Sequence, residues 1–389
     1  MNTDHLLSRS VQGVPPSGIR RFFDIASDMK NVISMSVGEP DFVTPWNIRS
    51  SAIASIERGL THYTSNSGMN ELRELVVSYL GERFDVHYPA ASVLMTVGAS
   101  EGLDLAFRAL LDPGDEVLIP APSYVSYEPG VRLAYGIPVP IRTTEALNFV
   151  LTPESLEAAI TAKTKLVVFP YPNNPTGAIM TQEQIAAIRP VIEKHNLFVI
   201  ADEIYAELTY GSEHASFARG AEEYTLLISG FSKAFAMTGW RLGYAAGPKK
   251  VIEAMLKIHQ YTMLCAPIVS QMAGIEAMRT EIQSGYTQVR EMVRSYNRRR
   301  TFVVEGFRQM GLSCFEPHGA FYAFPNISVT GLSSEEFCRR LLTEKRVACV
   351  PGTAFGASGE GFMRCSYASS MQNLIEALKR IGDFVQEMR

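Results

Sequence analysis

The chain has 389 residues, a formal net charge of −4 and a hydrophobic fraction of 46%, enough for one large domain or two ordinary ones with a buried core. The weak negative charge excludes a protein that attracts nucleic acid through a basic surface. No apolar run approaches the roughly 20 residues of a membrane helix, so we expect no membrane partner. The one basic cluster, residues 298–300, continues a helical pattern and is expected to face solvent instead of binding phosphate.

The five cysteines lie far apart, and none forms a Cys-x-x-Cys pair. An odd number of widely spaced cysteines predicts free thiols in a reducing compartment. The first 13 residues include charged side chains and lack the apolar stretch of a signal peptide. We therefore expect a cytoplasmic protein without a disulfide framework, and we assign no metal ligands.

Short apolar runs typical of β-strands recur from residue 93 onward, mostly with helix-like segments between them. Several runs, such as 197–201, are apolar throughout, which is typical of strands that are covered on both faces. This alternation predicts an α/β fold with a mostly parallel, seven-stranded sheet. The predicted strands are 93–98, 116–122, 137–142, 166–171, 197–203, 225–232 and 241–247, and the clearest helices between strands are 101–111, 181–195 and 248–259.

The pattern changes after about residue 285. One long helix is predicted over 288–310, and a closing amphipathic helix over 372–388. We interpret residues 288–389 as a smaller α+β domain, 46–287 as the large domain, and 1–45 as an N-terminal arm that contributes to the small domain. The small domain also contains strand-like pieces at 319–324, 348–350 and 362–367.

Polar residues cluster at the ends of four predicted strands, where open α/β sheets bind their ligands. Turn chemistry alone explains any one of these segments, because Gly, Asn and Ser are common in loops. Four such segments at one edge of a sheet indicate a binding site. They are GAS at 98–100, NNPTG at 173–177, DEIY at 202–205 and SK at 232–233.

The most specific stretch runs from Gly230 to Gly243 and reads GFSKAFAMTGWRLG. It resembles the attachment signature for pyridoxal 5'-phosphate (PLP) in class I aminotransferases, which have the PLP-dependent transferase fold type I. The resemblance implies that Lys233 carries the cofactor through an imine. Arg241 can grip the phosphate bidentately, and Ser232 offers a hydroxyl contact. Many family members have serine where this chain has Gly230, so we expect one phosphate contact fewer.

The other strand ends resemble the rest of that family's site. Asp202 matches the aspartate that pairs with the cofactor's pyridine nitrogen, a cationic partner that offsets the cost of burying a carboxylate. Asn174 and Tyr205 match two residues that hydrogen-bond the phenolic oxygen, and Asn174 is also assigned to the substrate site. Tyr124 matches the aromatic residue that stacks on the ring. The structural alternatives are a helix cap for Asp202, a tight turn for Asn174 and core packing for the two tyrosines.

Five further residues carry the same resemblance. Ala99 and Ser100 follow a strand and open a helix, where free N–H groups suit a phosphate. Gly38, in SVGEPDF, lets the backbone approach the substrate carboxylate, although a plain turn explains it nearly as well. Arg364 matches the arginine that binds the substrate α-carboxylate, with an exposed or paired charge as the alternative. Tyr63 matches a tyrosine that reaches the phosphate of the other subunit, which implies a homodimer.

The resemblance implies transfer of an amino group from an L-amino acid to a 2-oxo acid such as 2-oxoglutarate, with Lys233, Asp202 and Tyr205 as the catalytic residues. The substrate stays open. The chain lacks the lysine that aspartate-specific bacterial members carry near Ser100. It is similar to aromatic aminotransferases, and in the same degree to N-acetyl-diaminopimelate and alanine aminotransferases, so we expect an aromatic or broad donor range.

Three alternatives use the same features. A PLP-dependent carbon–sulfur β-lyase shares the cofactor residues. Transcription regulators with an aminotransferase-like domain carry a DNA-binding extension before it, and here the family pattern begins by Gly18. A nucleotide-binding α/β protein would need a Gly-rich phosphate loop after its first strand, and GASEG at 98–102 is not one.

Overall fold

The computed structural model describes residues 3–16, 18 and 29–389, and the elements named below lie within these ranges. The strands are β1 (Ile33–Ser34), β2 (Val93–Thr96), β3 (Glu116–Ala121), β4 (Ile137–Arg142), β5 (Thr164–Phe169), β6 (Phe198–Asp202), β7 (Thr225–Gly230), β8 (Gly243–Ala246), β9 (Tyr322–Ala323), β10 (Val347–Ala348), β11 (Val350–Pro351) and β12 (Met363–Ser366). The helices are α1 (Arg9–Gln12), α2 (Trp46–Glu57), α3 (Asn70–Phe84), α4 (Gly98–Leu110), α5 (Tyr127–Leu133), α6 (Pro153–Ala159), α7 (Gln182–Lys194), α8 (Lys249–Thr262), α9 (Ile268–Ser284), α10 (Thr287–Gln309), α11 (Ser334–Lys345) and α12 (Met371–Glu387).

Seven strands form the central sheet in the order β2-β8-β7-β6-β5-β3-β4. Strand β8 is antiparallel to both of its neighbours, and the other neighbouring pairs are parallel. All seven predicted strands are present, so the prediction of a mostly parallel α/β sheet is confirmed. Strand β7 ends at Gly230 instead of residue 232, which leaves Ser232 and Lys233 in the turn that follows the strand.

Helices cover both faces of this sheet, which explains strands that are apolar throughout. Val199 on β6 packs in the same cluster as Ile185 of α7. The next residue, Ile200, points to the opposite face and packs in the cluster that contains Phe107 of α4. Thr181 caps the N-terminus of helix α7 and forms a reciprocal capping box with Gln184. Within the described ranges, none of the helices combines the length and apolar character needed to cross a bilayer.

The C-terminal part forms a smaller α+β layer. Strands β11, β12 and β9 make an antiparallel sheet, while β1 pairs in parallel with β10. The strand predicted at 348–350 is therefore two short strands, because β10 and β11 belong to different sheets. Helices α10, α11 and α12 pack beside these strands around one apolar cluster. The domain bounds at 45/46 and 287/288 stay predictions.

The prediction that residues 298–300 face solvent is wrong for two of the three arginines. The Arg299 guanidinium lies 2.7 Å from the Asp41 carboxylate, and the Arg300 guanidinium lies 2.8 Å from the Glu316 carboxylate. Their side chains are only 13% and 11% exposed. The ionic partners of these arginines are acidic residues in two loops that pack against α10. Helical periodicity cannot reveal such partners.

The start of α4 lies unusually close to β8. A Cβ atom added at Gly243 would lie 2.5 Å from the carbonyl carbon of Gly98 and 2.6 Å from the nitrogen of Ala99. Gly98 itself has a φ of 76°, a left-handed conformation that glycine adopts without a steric penalty. The pair of glycines therefore lets the backbone of β8 touch the first turn of α4.

We predict that Gly243→Ala destabilises the protein by about 1–3 kcal/mol, because the new methyl group overlaps backbone atoms that cannot move aside. Thermal unfolding followed by circular dichroism should show a lower apparent Tm. Gly81→Ala on α3 is the matched control, since its added Cβ would meet only the His87 ring at 3.6 Å. The prediction is wrong if both variants unfold at the parental temperature.

Candidate active site

A cavity of about 830 Å³ opens at the carboxyl ends of the parallel strands. It lies where the loops after β3, β5, β6 and β7 meet the start of α4 and residues from β9 and β12. Eleven of the twelve predicted site residues line this cavity, although they come from distant segments of the sequence. They are Gly38, Ala99, Ser100, Tyr124, Asn174, Asp202, Tyr205, Ser232, Lys233, Arg241 and Arg364.

One end of the cavity is suited to an anion. Helix α4 begins there, and its N-cap residue forms no side-chain cap, so the first N–H groups at Ala99 and Ser100 are available to a ligand. Arg241 lies beside this turn, with its guanidinium against the backbone position of Gly98. Ser232 also lines the cavity. A phosphate group would find helix N–H groups, a hydroxyl and a guanidinium together.

The cavity wall also contains a buried carboxylate with neutral hydrogen-bond partners. Asp202 accepts a hydrogen bond of 2.7 Å from the Tyr127 hydroxyl and one of 3.2 Å from the Ile204 N–H. Burial raises the pKa of the Asp202 carboxyl, and these two hydrogen bonds act in the opposite direction. A protonated ring nitrogen would supply the positive charge that this carboxylate lacks among its hydrogen-bond partners.

Lys233 lies in the turn after β7 and projects into the cavity. Its Nζ donates a hydrogen bond of 2.6 Å to the carbonyl oxygen of Gly38. Burial lowers the pKa of the Lys233 ammonium to about 8; the positive charges of Arg364 and Arg241 act in the same direction, and the negative charge of Glu39 opposes them. A neutral amine is therefore accessible near physiological pH, as a nucleophile requires.

Arg364 is a buried cation with neutral partners. The side chain is on β12 and the residue is 2% exposed. It donates hydrogen bonds to the Asn174 Oδ1 and to the Ser36 carbonyl oxygen, at 2.9 and 2.5 Å, while its buried Nε has no partner within the described part of the chain. Because an uncompensated buried charge is costly, this guanidinium is suited to a ligand carboxylate.

The two residues assigned to a phenolic oxygen are held by other site residues. The Asn174 side chain offers its oxygen to Arg364, so its NH₂ group faces away from that contact and can donate to a ligand. The Tyr205 hydroxyl lies 2.8 Å from the Tyr322 hydroxyl. Tyr124, assigned to ring stacking, lines the cavity with its ring centroid 5.5 Å from that of Tyr127.

The comparisons with known proteins agree with this geometry. Residues 30–381 match the family of class I and class II aminotransferases. The chain belongs to this family. Members use PLP, so the predicted cofactor and the predicted transaminase activity are confirmed: the enzyme transfers an amino group between an amino acid and a 2-oxo acid. The residues described above fit the cofactor, because they offer an anion site, a buried carboxylate and a lysine of lowered pKa in one cavity.

Three relatives illustrate the match. The Bacillus subtilis protein YugH, provisionally named an aminotransferase, is 52% identical, with 98% of each chain covered. The aspartate aminotransferase of Pyrococcus horikoshii is 44% identical, with 97% of this chain and 96% of the relative covered. The crystal structure of an aromatic aminotransferase from Pyrococcus horikoshii has a TM-score of 0.89 and 40% identity, with 94% and 99% covered.

Three residues of the aminotransferase site were missed from the sequence. Tyr127, which binds Asp202, follows Tyr124 by three residues, and helical spacing could have placed both on one face. Tyr322 lies in the strand-like piece predicted at 319–324, but it was assigned no role. Glu39 adjoins Gly38 and lines the cavity; the sequence offers no signal that separates it from a surface carboxylate.

Tyr63 is the one predicted site residue that lies outside the cavity. Its side chain is 83% exposed, and it does not line the site of its own chain. Its contact with the site of a second subunit stays a prediction.

We predict that cofactor-free protein, treated briefly with PLP and then borohydride, is labelled at Lys233 with half-maximal yield near pH 8. Below that pH the ammonium cannot attack the aldehyde, and above it the neutral amine can. Peptide mapping measures the label, and Lys233→Ala supplies the control that lacks it. An ordinary lysine, with a pKa of about 10.4, would gain label only around pH 10, and that profile at Lys233 would contradict the prediction.

Proposed function

We propose that this aminotransferase prefers L-amino acids with an uncharged side chain, and aromatic ones in particular. The observation that carries the proposal is the charge balance of the cavity. Among the described residues that line it, the cations are Lys233, Arg241 and Arg364. The proposal assigns Lys233 and Arg241 to the cofactor, and Arg364 to the α-carboxylate that every amino acid has. The acidic residues that line it are Asp202 and Glu39.

In this proposal the chain's own residues orient the cofactor at both ends. Asp202 would hold the protonated ring nitrogen, while Arg241, Ser232 and the first turn of α4 would hold the phosphate. Asn174 and Tyr205 would donate hydrogen bonds to the phenolic oxygen, and Tyr124 would pack on the ring. When bound, PLP supplies an electron sink for the charge that develops at the substrate Cα.

Lys233 and Arg364 have separate roles toward the substrate. Arg364 would bind the α-carboxylate. Lys233 would remove the Cα proton as a base and then, as an acid, donate it to the cofactor carbon that bonds the substrate nitrogen; such positioned proton transfer contributes roughly 10²- to 10⁴-fold in rate. Both side chains are anchored on the same loop, since Arg364 donates to the Ser36 carbonyl and Lys233 to the Gly38 carbonyl. Residues 36–38 therefore contact both side chains.

The preference for an uncharged side chain follows from the lack of a further cation among the described residues that line the cavity. An aspartate donor carries a second carboxylate, and no described cation lining the cavity is left to bind it. Glu39, hydrogen-bonded to Thr238 at the edge of the cavity, would repel it. Relatives are named for aspartate and for aromatic amino acids, so family membership alone supports both substrate classes. The charge balance favours the aromatic class.

We predict that kcat/KM with tyrosine or phenylalanine exceeds that with aspartate, measured with 2-oxoglutarate and phenylpyruvate as alternative acceptors. Two acceptors are needed because 2-oxoglutarate brings its own second carboxylate. Ser100→Lys, which adds a cation at the cavity wall, should raise the aspartate-to-tyrosine ratio of kcat/KM by about 5-fold, corresponding to ~1 kcal/mol for a partly exposed ion pair.

Ser100→Met is the matched control, since it adds a chain of similar length without charge and should leave the ratio unchanged. Aspartate as the fastest donor of the parental enzyme would overturn the proposed preference. Release of pyruvate from cystathionine without any acceptor would favour the carbon–sulfur lyase instead.

We also propose that the enzyme is a homodimer whose sites are completed by Tyr63 of the second subunit. A second, open cavity of about 730 Å³ adjoins the first and includes Glu39 and Arg241 in its wall. Thr64, the neighbour of Tyr63, lies close to Ala266, because the Gln271 side-chain amide donates hydrogen bonds to the Thr64 hydroxyl and to the Ala266 carbonyl. This region exposes large apolar side chains that a partner would cover, namely Trp46, Ile53, Ile56, Tyr63, Tyr261 and Met263.

Mixed dimers test this arrangement. We predict that Tyr63→Ala lowers kcat/KM about 10-fold, the effect of losing ~1.4 kcal/mol of binding, and that Lys233→Ala is inactive. Co-expressed, the two variants should form heterodimers with one intact site, and the purified heterodimer should regain about half of the parental activity. If Tyr63 acts within its own chain, the heterodimer regains nothing.

A cytoplasmic location is the remaining part of the proposal. All five cysteines are free thiols, which suits a reducing compartment.

A further inference from the structure

Tyr322 contacts both Arg364 and Tyr205, two residues to which the proposed function gives separate roles. Its backbone on β9 pairs with Ser366 on β12, the strand that carries Arg364. The residue is 1% exposed, and the Arg364 Cζ lies 4.4 Å from the centroid of its ring. This cation–π contact and the strand pairing hold the Tyr322 ring in one position against the carboxylate-binding arginine.

The Tyr322 hydroxyl is confined as closely as its ring. It lies 2.8 Å from the Tyr205 hydroxyl. On another side, a Cβ atom at Gly38 would lie only 2.6 Å from it, so only glycine at position 38 leaves room for this hydroxyl. Glycine is therefore required at position 38 to leave space for the Tyr322 hydroxyl, in addition to the expected close approach of the backbone to the substrate carboxylate.

When two hydroxyl groups form one hydrogen bond with each other, one of them donates its proton to that bond and the other is free to donate its proton elsewhere. Each phenol has a single proton to donate. If Tyr205 donates its proton to the phenolic oxygen of the cofactor, its oxygen must accept the proton of Tyr322. The geometry points to Tyr322 as a positioning residue that orients the Tyr205 proton toward the cofactor, an inference that rests on the proposed role of Tyr205.

Arg364 strengthens this arrangement. Burial raises the pKa of the Tyr322 hydroxyl, and the positive charge of Arg364 acts in the opposite direction, which makes Tyr322 a better donor. Hydrogen bonds in a chain polarise one another, so a stronger bond from Tyr322 strengthens the bond that Tyr205 donates. The carboxylate-binding arginine is therefore connected to the phenolic oxygen through Tyr322, in addition to its direct contact with Asn174.

Tyr322→Phe tests the inference, because it removes the hydroxyl and keeps the ring over Arg364. The measurement is the pH midpoint of the visible absorption change of the holoenzyme without substrate. Weaker donation leaves more negative charge on the phenolic oxygen and favours the protonated form of the nitrogen that joins Lys233 to the cofactor. The midpoint should therefore rise, by about half a pH unit or more, as expected for weakening one hydrogen bond.

A double-mutant cycle separates this inference from the proposed function. Tyr205→Phe should raise the midpoint further than Tyr322→Phe, and adding Tyr322→Phe to it should cause no further shift, because Tyr322 acts through Tyr205. An unchanged midpoint in Tyr205→Phe would overturn the proposed role of Tyr205. A shift in Tyr205→Phe but none in Tyr322→Phe, or an equal shift by Tyr322→Phe in both backgrounds, would overturn the inference alone.

Two further variants complete the experiment. Tyr367→Phe is the matched control: its hydroxyl is buried in the same apolar cluster and binds the Ala320 carbonyl at 3.2 Å, but it does not line the cavity. Its midpoint should equal that of the parental enzyme. Gly38→Ala displaces the Tyr322 hydroxyl instead of removing it and should raise the midpoint even if Tyr322→Phe folds poorly; a parental midpoint in Gly38→Ala would contradict the inference.

Discussion

Two buried charges of opposite sign, each with neutral hydrogen-bond partners, define the active site. The Asp202 carboxylate is bound by a tyrosine hydroxyl and a backbone N–H, and the Arg364 guanidinium by an amide oxygen and a backbone carbonyl. A protein that only needed stability would pair such charges or replace them with apolar residues. Here the cofactor's ring nitrogen and the substrate's carboxylate are suited to complete them, so binding energy is available at the two points that orient the reaction.

The site also depends on the contact between the two layers of the fold. The loop at 36–38 accepts hydrogen bonds from Lys233, which follows the central sheet, and from Arg364, which lies on the small antiparallel sheet. Tyr322 fills the space between this loop and Tyr205. The relative position of Lys233 and Arg364 is therefore set by packing between the layers, and the loop must contain glycine at position 38 because a larger residue would collide with Tyr322.

Much of the fold and most of the site residues could be predicted from the sequence. The seven strands are short, apolar on both faces and separated by helical segments, a pattern with few alternatives. Because parallel strands place their carboxyl ends at one edge, residues from four distant motifs were expected to meet there, and they do; eleven of the twelve predicted site residues line one cavity. The solvent-facing arginines and the strand at 348–350 were predicted wrongly, since ion pairs with loops and the division of a short segment between two sheets leave no periodic signal.

The sequence by itself determined the order of strands and helices, the lysine with its surrounding motif and therefore the family and its cofactor, because these depend on local pattern and on fixed spacings along the chain. Only the tertiary structure decided which side chains touch. Tyr127 meets Asp202 across 75 residues, Tyr322 meets Tyr205 across 117, and Asn174 meets Arg364 across 190. The physical reason is that the lowered pKa of Lys233 and the unpaired charges at Asp202 and Arg364 arise from burial, and burial is a property of packing that no short segment contains.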